Sequence, residues 1–218
     1  MELLDTSRAF VFDCDGTLVD SMRAWFDVWP VTMRDFGIES QAKDFDAYEH
    51  LSLEEECEQV VRDFHVPASL GQFKTAFYDR MAEAYAQAPL IDGLRSFLQR
   101  ARAAGIPMGV ATSTPRELVE PCLKAHGIDW YFSTIVTTGM VGRSKEHPDV
   151  YDAALDRILP GCARKDACVF EDALFGLRAA SEAGYRGVGI PDPSRVDGQS
   201  AASSYADVYV RDYEELDL

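Results

Sequence analysis

Two aspartates two residues apart, Asp13 and Asp15, close an apolar run and precede a glycine in the segment FVFDCDGTLVDS, residues 10–21. Phe10, Val11 and Phe12 are β-branched or aromatic and uninterrupted, which predicts a short buried strand. Gly16 breaks it, so the carboxylates should sit at the strand's carboxyl end, where an open α/β sheet binds its ligands. Acids pressed against an apolar wall serve no packing need. Their chemistry is that of acceptor-only oxygens, suited to a hard cation. The alternative for this segment alone is an acidic turn.

Three more segments place polar groups at the ends of expected strands. Thr112, Ser113 and Thr114 follow the strand GVA and open a helix with Pro115 at its first position. Hydroxyls and free N–H groups there would form an anion site, or simply a helix cap. Lys145 lies in the loop GRSKEHPDVY, before a helix begun by Pro148 and Asp149. Taken alone, it reads as a solvated lysine. Glu171 and Asp172 follow a strand in CVFEDALFG and precede a helix, a position that the helix dipole favours for acids in any case. Together, four strand ends would converge on four carboxylates, a hydroxyl cluster and one lysine. A metal held by Asp13 and Asp172, with Lys145 and a helix start beside it, describes a cradle for a phosphoryl group, with Mg²⁺ as the fitting ion.

The elements that must position these groups show two textures. Between about residues 21 and 87 there is no convincing strand. Apolar residues at three- and four-residue spacing predict helices over 22–36, 53–64 and 70–86, with Pro30 able to kink or divide the first. Ser52 and Glu55 form a capping-box pattern at the start of the second. From Pro89 onward helix and strand alternate. Helices are expected at 94–104, 116–126, 150–158 and 174–183, and strands at 107–111, 133–137, 167–170, 187–190 and 208–210. This pattern predicts an α/β fold, a doubly wound parallel sheet with helices on both faces and an inserted helical domain. The expected division is a core of residues 1–20 and 89–218 and a helical cap of residues 21–88, with hinges near Asp20–Ser21 and Ala88–Pro89. Residues 191–204 read as a surface connection.

With 218 residues, 47% of them hydrophobic, the chain can build one substantial core. A formal charge of −16 excludes the basic stripe that sequence-independent nucleic-acid binding needs, and disfavours anionic membranes. The five cysteines, Cys14, Cys57, Cys122, Cys162 and Cys168, are odd in number and show no CxxC spacing. Neither a zinc site nor a disulfide framework is expected, and a cytoplasmic, reducing location is. Cys14 reads as a packed strand residue. The amino terminus has no basic region, and no stretch approaches the length of a membrane span.

The ordered set FDCDGT, ATST, Lys145 and FED resembles the haloacid dehalogenase superfamily, and within it the β-phosphoglucomutase-like phosphatases with a helical cap, over essentially the whole chain. The resemblance implies a nucleophilic Asp13 that forms an aspartyl-phosphate on a small phosphorylated metabolite. It implies Asp15 as general acid and then base, and Thr112 and Lys145 as binders of the phosphoryl oxygens. Mg²⁺ would be held by the Asp13 carboxylate, the Asp15 carbonyl and Asp172, with Glu171 supporting it through water. Candidate substrate-binding residues are Thr17, Ser113, Thr114, Arg116 and Trp25, together with Trp29 and the loop near His50. The bland readings are core tryptophans and an Arg116–Glu120 pair.

The loop KEHPD departs from the family pattern by placing Glu146 where a first proline is usual, and His147 reads either as a group titrating near the site or as an exposed loop histidine. A sugar-phosphate mutase of this branch is the alternative. It would carry a cap histidine twelve residues after the nucleophile, where this chain has Trp25, and cap cations where this chain has Glu54, Glu55 and Glu56. A non-catalytic phosphate-binding protein is the other alternative. A monomer is expected, or else a dimer.

Overall fold

The computed structural model describes residues 6–48, 51–191 and 202–217. The loop near His50 and most of the connection expected at 191–204 lie outside the described residues. Six parallel strands form one sheet in the order β3-β2-β1-β4-β5-β6. They are β1 (Ala9–Phe12), β2 (Met108–Thr112), β3 (Ile135–Thr137), β4 (Ala167–Glu171), β5 (Arg186–Gly189) and β6 (Val208–Tyr209). The strand order reverses direction at β1, which places the carboxyl ends of β1, β2 and β4 around one crevice. Among the described residues no helix is long and apolar enough to cross a membrane.

Alternation along β1 builds two cores. Phe10 and Phe12 face one side with Phe97, Phe170 and Tyr213, covered by α4 (Leu94–Ala103) and α5 (Arg116–Ala125). Ala9 and Val11 face the other, beneath α7 (Asp149–Ile158) and α8 (Leu174–Glu182). Successive strand side chains point to opposite faces, so each of these four apolar residues is buried against a helix. Phe12 stacks on Phe170 at 4.4 Å between ring centroids, directly beneath the polar ends of both strands.

Between β1 and β2 stand α1 (Met22–Asp35), a 3-10 turn (Ala42–Phe45), α2 (Leu53–Asp63) and α3 (Leu70–Gln87). The turn was not expected. Pro30 does not divide α1, which runs unbroken through it. Ser52 and Glu55 do make the reciprocal capping box of α2, and Ser69 and Gln72 make a second one at α3. The two connections to the sheet run side by side, joined by hydrogen bonds from Asp20 N–H to the Pro89 carbonyl at 2.8 Å and from Ile91 N–H to the Leu18 carbonyl at 3.1 Å. A short α6 (Thr138–Val141) follows β3 directly, where no helix was expected.

Phe97 joins α4 to both aromatic strands, with ring centroids 5.8 Å from Phe10 and 5.4 Å from Phe170. Phe97→Ala should therefore cost about 3–5 kcal/mol of stability, read as a lower urea midpoint at unchanged m value.

Candidate active site

The turn after β1 sets the geometry. Asp13 N–H bonds the Phe170 carbonyl at 2.9 Å and completes the β1–β4 ladder. Gly16 then adopts a φ of +70°, and a Cβ on it would lie 2.4 Å from an Asp172 carboxylate oxygen. Only glycine permits both the left-handed turn and this approach. The acids expected at two separate strand ends are thereby brought together: Asp13, Glu171 and Asp172 each offer a carboxylate oxygen within 4.8 Å of the others.

Lys145 enters this cluster from the loop before α7 and is only 2% exposed. Its Nζ lies 2.5 Å from Asp13 Oδ1 and 2.7 Å from Glu171 Oε1. Glu171 is fully buried, accepts from Tyr151 Oη at 2.8 Å and from Ala173 N–H at 3.1 Å, and so has partners on both oxygens. It is thus the seat of Lys145, a contact the sequence reading did not foresee. Burial weighs against the ammonium, but the Asp13 and Glu171 charges outweigh it and hold Lys145 above the usual lysine range. Burial also drives the Asp13 carboxyl up, to about 8, with Lys145 opposing and Glu171 and Asp15 adding to the rise. One ammonium among these crowded carboxylates leaves excess negative charge, and the donor set is all oxygen. That combination fits a hard divalent cation at Asp13 and Asp172.

Asp15 is held by four side-chain donors. Ser21 Oγ (2.6 Å), Trp25 Nε1 (2.7 Å) and Tyr85 Oη converge on its Oδ1. Thr114 Oγ1 reaches Oδ2 at 2.8 Å. Trp25 lies on α1 and Tyr85 on α3, so two of the insertion's three helices grip an acid of the turn after β1. Burial and the Asp15 charge push the Tyr85 phenol well above its ordinary value, which keeps it a donor. The apolar spacing over 70–86 reads Tyr85 as core, and the sequence assigns no role to Tyr151. Their rings are indeed buried, and only their hydroxyls reach the site.

The remaining candidates separate cleanly. Thr112 and Ser113 line the pocket above Asp13. Thr112 Oγ1 accepts from Thr114 N–H at 3.0 Å, and the buried Ser113 Oγ has no hydrogen-bond partner. Thr114 also lines the pocket, but its hydroxyl is directed to Asp15. Thr17 does not line it and instead donates to Asp172 Oδ1 at 3.4 Å. Arg116 is not brought to the site; it is half exposed and pairs with Glu120 at 2.9 Å. The helix it opens begins at Arg116, as expected, with Pro115 as its cap rather than its first residue. Glu146 turns away from Lys145 toward Arg178 at 3.6 Å, and His147 is exposed. Cys14 is buried, and burial raises its thiol well above the ordinary value.

Validoxylamine A 7'-phosphate phosphatase of Streptomyces hygroscopicus subsp. limoneus is 28% identical over 218 residues, covering 96% of this chain and 95% of that protein. The bifunctional riboflavin kinase/FMN phosphatase of Arabidopsis thaliana is 25% identical over 191 residues; the match takes in 85% of this chain but spans only 48% of that longer protein. The crystal structure of CbbY from Rhodobacter sphaeroides in complex with phosphate superposes with a TM-score of 0.78 at 26% identity, covering 96% of each chain. The profile of the haloacid dehalogenase-like hydrolases matches residues 7–184, and the chain belongs to that family.

Proposed function

We propose that the chain is a Mg²⁺-dependent phosphatase of small phosphorylated metabolites that works through an aspartyl-phosphate on Asp13. The observation that carries this reading is the buried Asp13–Lys145–Glu171 chain beside Asp172. It presents one carboxylate oxygen to an incoming phosphorus and a fixed positive charge next to it. The names of the relatives support the reaction class while differing in the alcohol released.

Asp13 attacks phosphorus in line, and Lys145, Thr112 Oγ1 and Ser113 Oγ receive the phosphoryl oxygens. Mg²⁺, held by the Asp13 carboxylate, the Asp15 carbonyl and Asp172, would neutralise charge on the transferring group. Asp15 protonates the departing alkoxide, then takes a proton from the water that hydrolyses the aspartyl-phosphate. Its four donors fix where that proton is given and received. Thr17 donates to Asp172, and Gly16 leaves the room its carboxylate needs. Uncatalysed phosphate monoesters are slow enough that enzymes reach accelerations of up to ~10²¹. Positioning and charge neutralisation of this kind must supply most of that. The mutase alternative loses support, because Lys145 is the single cationic side chain among the described residues that line the pocket.

Phosphate release from phosphomonoesters is expected to require Mg²⁺ and to vanish in Asp13→Asn. A folded, Mg²⁺-binding protein that releases none from a broad panel overturns the reading. Tyr85→Phe removes one donor from Asp15 without touching the phosphoryl site; kcat should fall roughly 10-fold with KM little changed. A fall in KM-dependent binding alone would instead place Tyr85 in substrate recognition. Mg²⁺ at about 100 times its Kd should raise stability by about 2.7 kcal/mol. Thermal melts should show this shift, reversed by chelation and reduced in Asp172→Asn.

A further inference from the structure

The ammonium of Lys145 carries three N–H donors. Two are taken, by Asp13 Oδ1 at 2.5 Å and Glu171 Oε1 at 2.7 Å, and the third is left for an oxygen in the pocket that Lys145 lines. The donors keep a tetrahedral arrangement, so the places of the two acceptors set the direction of the third. Asp13 is fixed by the β1–β4 ladder through its N–H on the Phe170 carbonyl. Glu171 ends a longer and more flexible side chain, and the place of its carboxylate depends on what grips it.

Tyr151 supplies that grip. Its phenol donates to Oε1 at 2.8 Å, the same oxygen that receives Lys145, while Ala173 N–H holds Oε2 at 3.1 Å. Tyr151 is fully buried and lies on α7, the helix that the Lys145 loop leads into. The ammonium stands over its ring, 5.8 Å from the centroid. A Cβ at Gly176 would lie 2.7 Å from the Tyr151 hydroxyl, so this glycine clears the space in which the contact forms. Burial and the Glu171 charge raise the phenol well above its ordinary value, which keeps it a donor. Packing does not call for the hydroxyl. Tyr151 meets Tyr185 edge-on at 6.3 Å, and a phenylalanine ring would keep that contact. A buried hydroxyl costs stability unless it is bonded, and here its bond goes to the seat of the lysine.

We infer that Tyr151 is a positioning residue for the phosphoryl site: through Oε1 of Glu171 it aims the remaining N–H of Lys145 at the transferring group. The inference deepens the phosphatase reading and rests on it for turnover, but not for the hold on the ammonium.

The test compares the full chain with Tyr151→Phe. The control is Tyr185→Phe, which removes the other phenol of the ring pair and its bond to Asp152 at 2.7 Å. On a panel of phosphomonoesters, Tyr151→Phe should lower kcat by ~10-fold, with KM and half-saturating Mg²⁺ changed by less than about 2-fold. Orthovanadate, a mimic of five-coordinate phosphorus, should bind ~10-fold more weakly and inorganic phosphate almost equally well. In proton–nitrogen spectra of the lysine ammonium groups, the parent should show a slowly exchanging Lys145 signal, assigned through Lys145→Arg. Tyr151→Phe should shift that signal and speed its exchange, and Tyr185→Phe should change neither the signal nor kcat. Where Tyr151→Phe does not fold, the parent alone decides, since orthovanadate should then move the Lys145 ammonium and Tyr151 hydroxyl resonances together. An unchanged kcat and ammonium signal in Tyr151→Phe, an equal fall in Tyr185→Phe, or an ammonium that responds to orthovanadate without the hydroxyl overturns the inference. A parent that hydrolyses no ester, while Tyr151→Phe still frees the ammonium, overturns the phosphatase reading and leaves the hold of Tyr151 on Lys145 standing.

Discussion

One ammonium, that of Lys145, holds together a site that would otherwise push itself apart. Asp13 and Glu171 both touch it, and all three side chains are almost wholly removed from water. Burying a charge is costly unless it is paired and hydrogen-bonded. The surrounding structure meets that condition group by group. Tyr151 and Ala173 N–H satisfy Glu171, and Gly176 leaves room for it, since a Cβ there would sit 2.4 Å from Glu171 Oε1. The sheet order follows the same need. Placing β1 beside β4 brings Asp13 and Glu171 to one end, and the loop from β3 to α7 then delivers the lysine between them.

The second acid is governed by a different economy. Among the described residues Asp15 has no cation against it; its contacts are neutral donors contributed by two parts of the fold. Thr114 comes from the end of β2, whereas Trp25 and Tyr85 come from the insertion. Two carboxylates two residues apart thus experience distinct surroundings, one ionic and dry, the other a fork of hydrogen bonds. That difference is what the proposed division into a nucleophile and a proton carrier requires.

Much of this was readable in the residues. The buried strands announced themselves as short apolar runs, the Ser52–Glu55 cap as a local pattern, and the polar groups as strand-end punctuation. What stayed hidden depends on relations across the chain. Tyr85 is 70 residues from the carboxylate it serves, and on α3 it keeps the same stripe as Phe73, Phe77 and Met81, so periodicity reads it as core. Glu171 looked like a helix-start acid or an outer metal support, because nothing local reveals that Lys145 and Tyr151 converge on it. Thr17 and Thr114 carried the right chemistry for an anion, but each is turned toward an aspartate. The Ser69–Gln72 cap was legible by the same rule as Ser52–Glu55 and was simply passed over. Arg116 shows the converse, since its helix-surface pairing with Glu120 was available from their four-residue spacing.

Trp25 stands at two places at once, lining the wall that meets the released alcohol and donating to Asp15. A foreign helical insert grafted between the paired connections at Leu18–Asp20 and Pro89–Ile91 would bring its own wall. It would also strip Asp15 of its indole and phenol donors. Under the proposed mechanism, the choice of substrate and the handling of the proton would not be separable modules in this chain, and drift in one would be checked by the other.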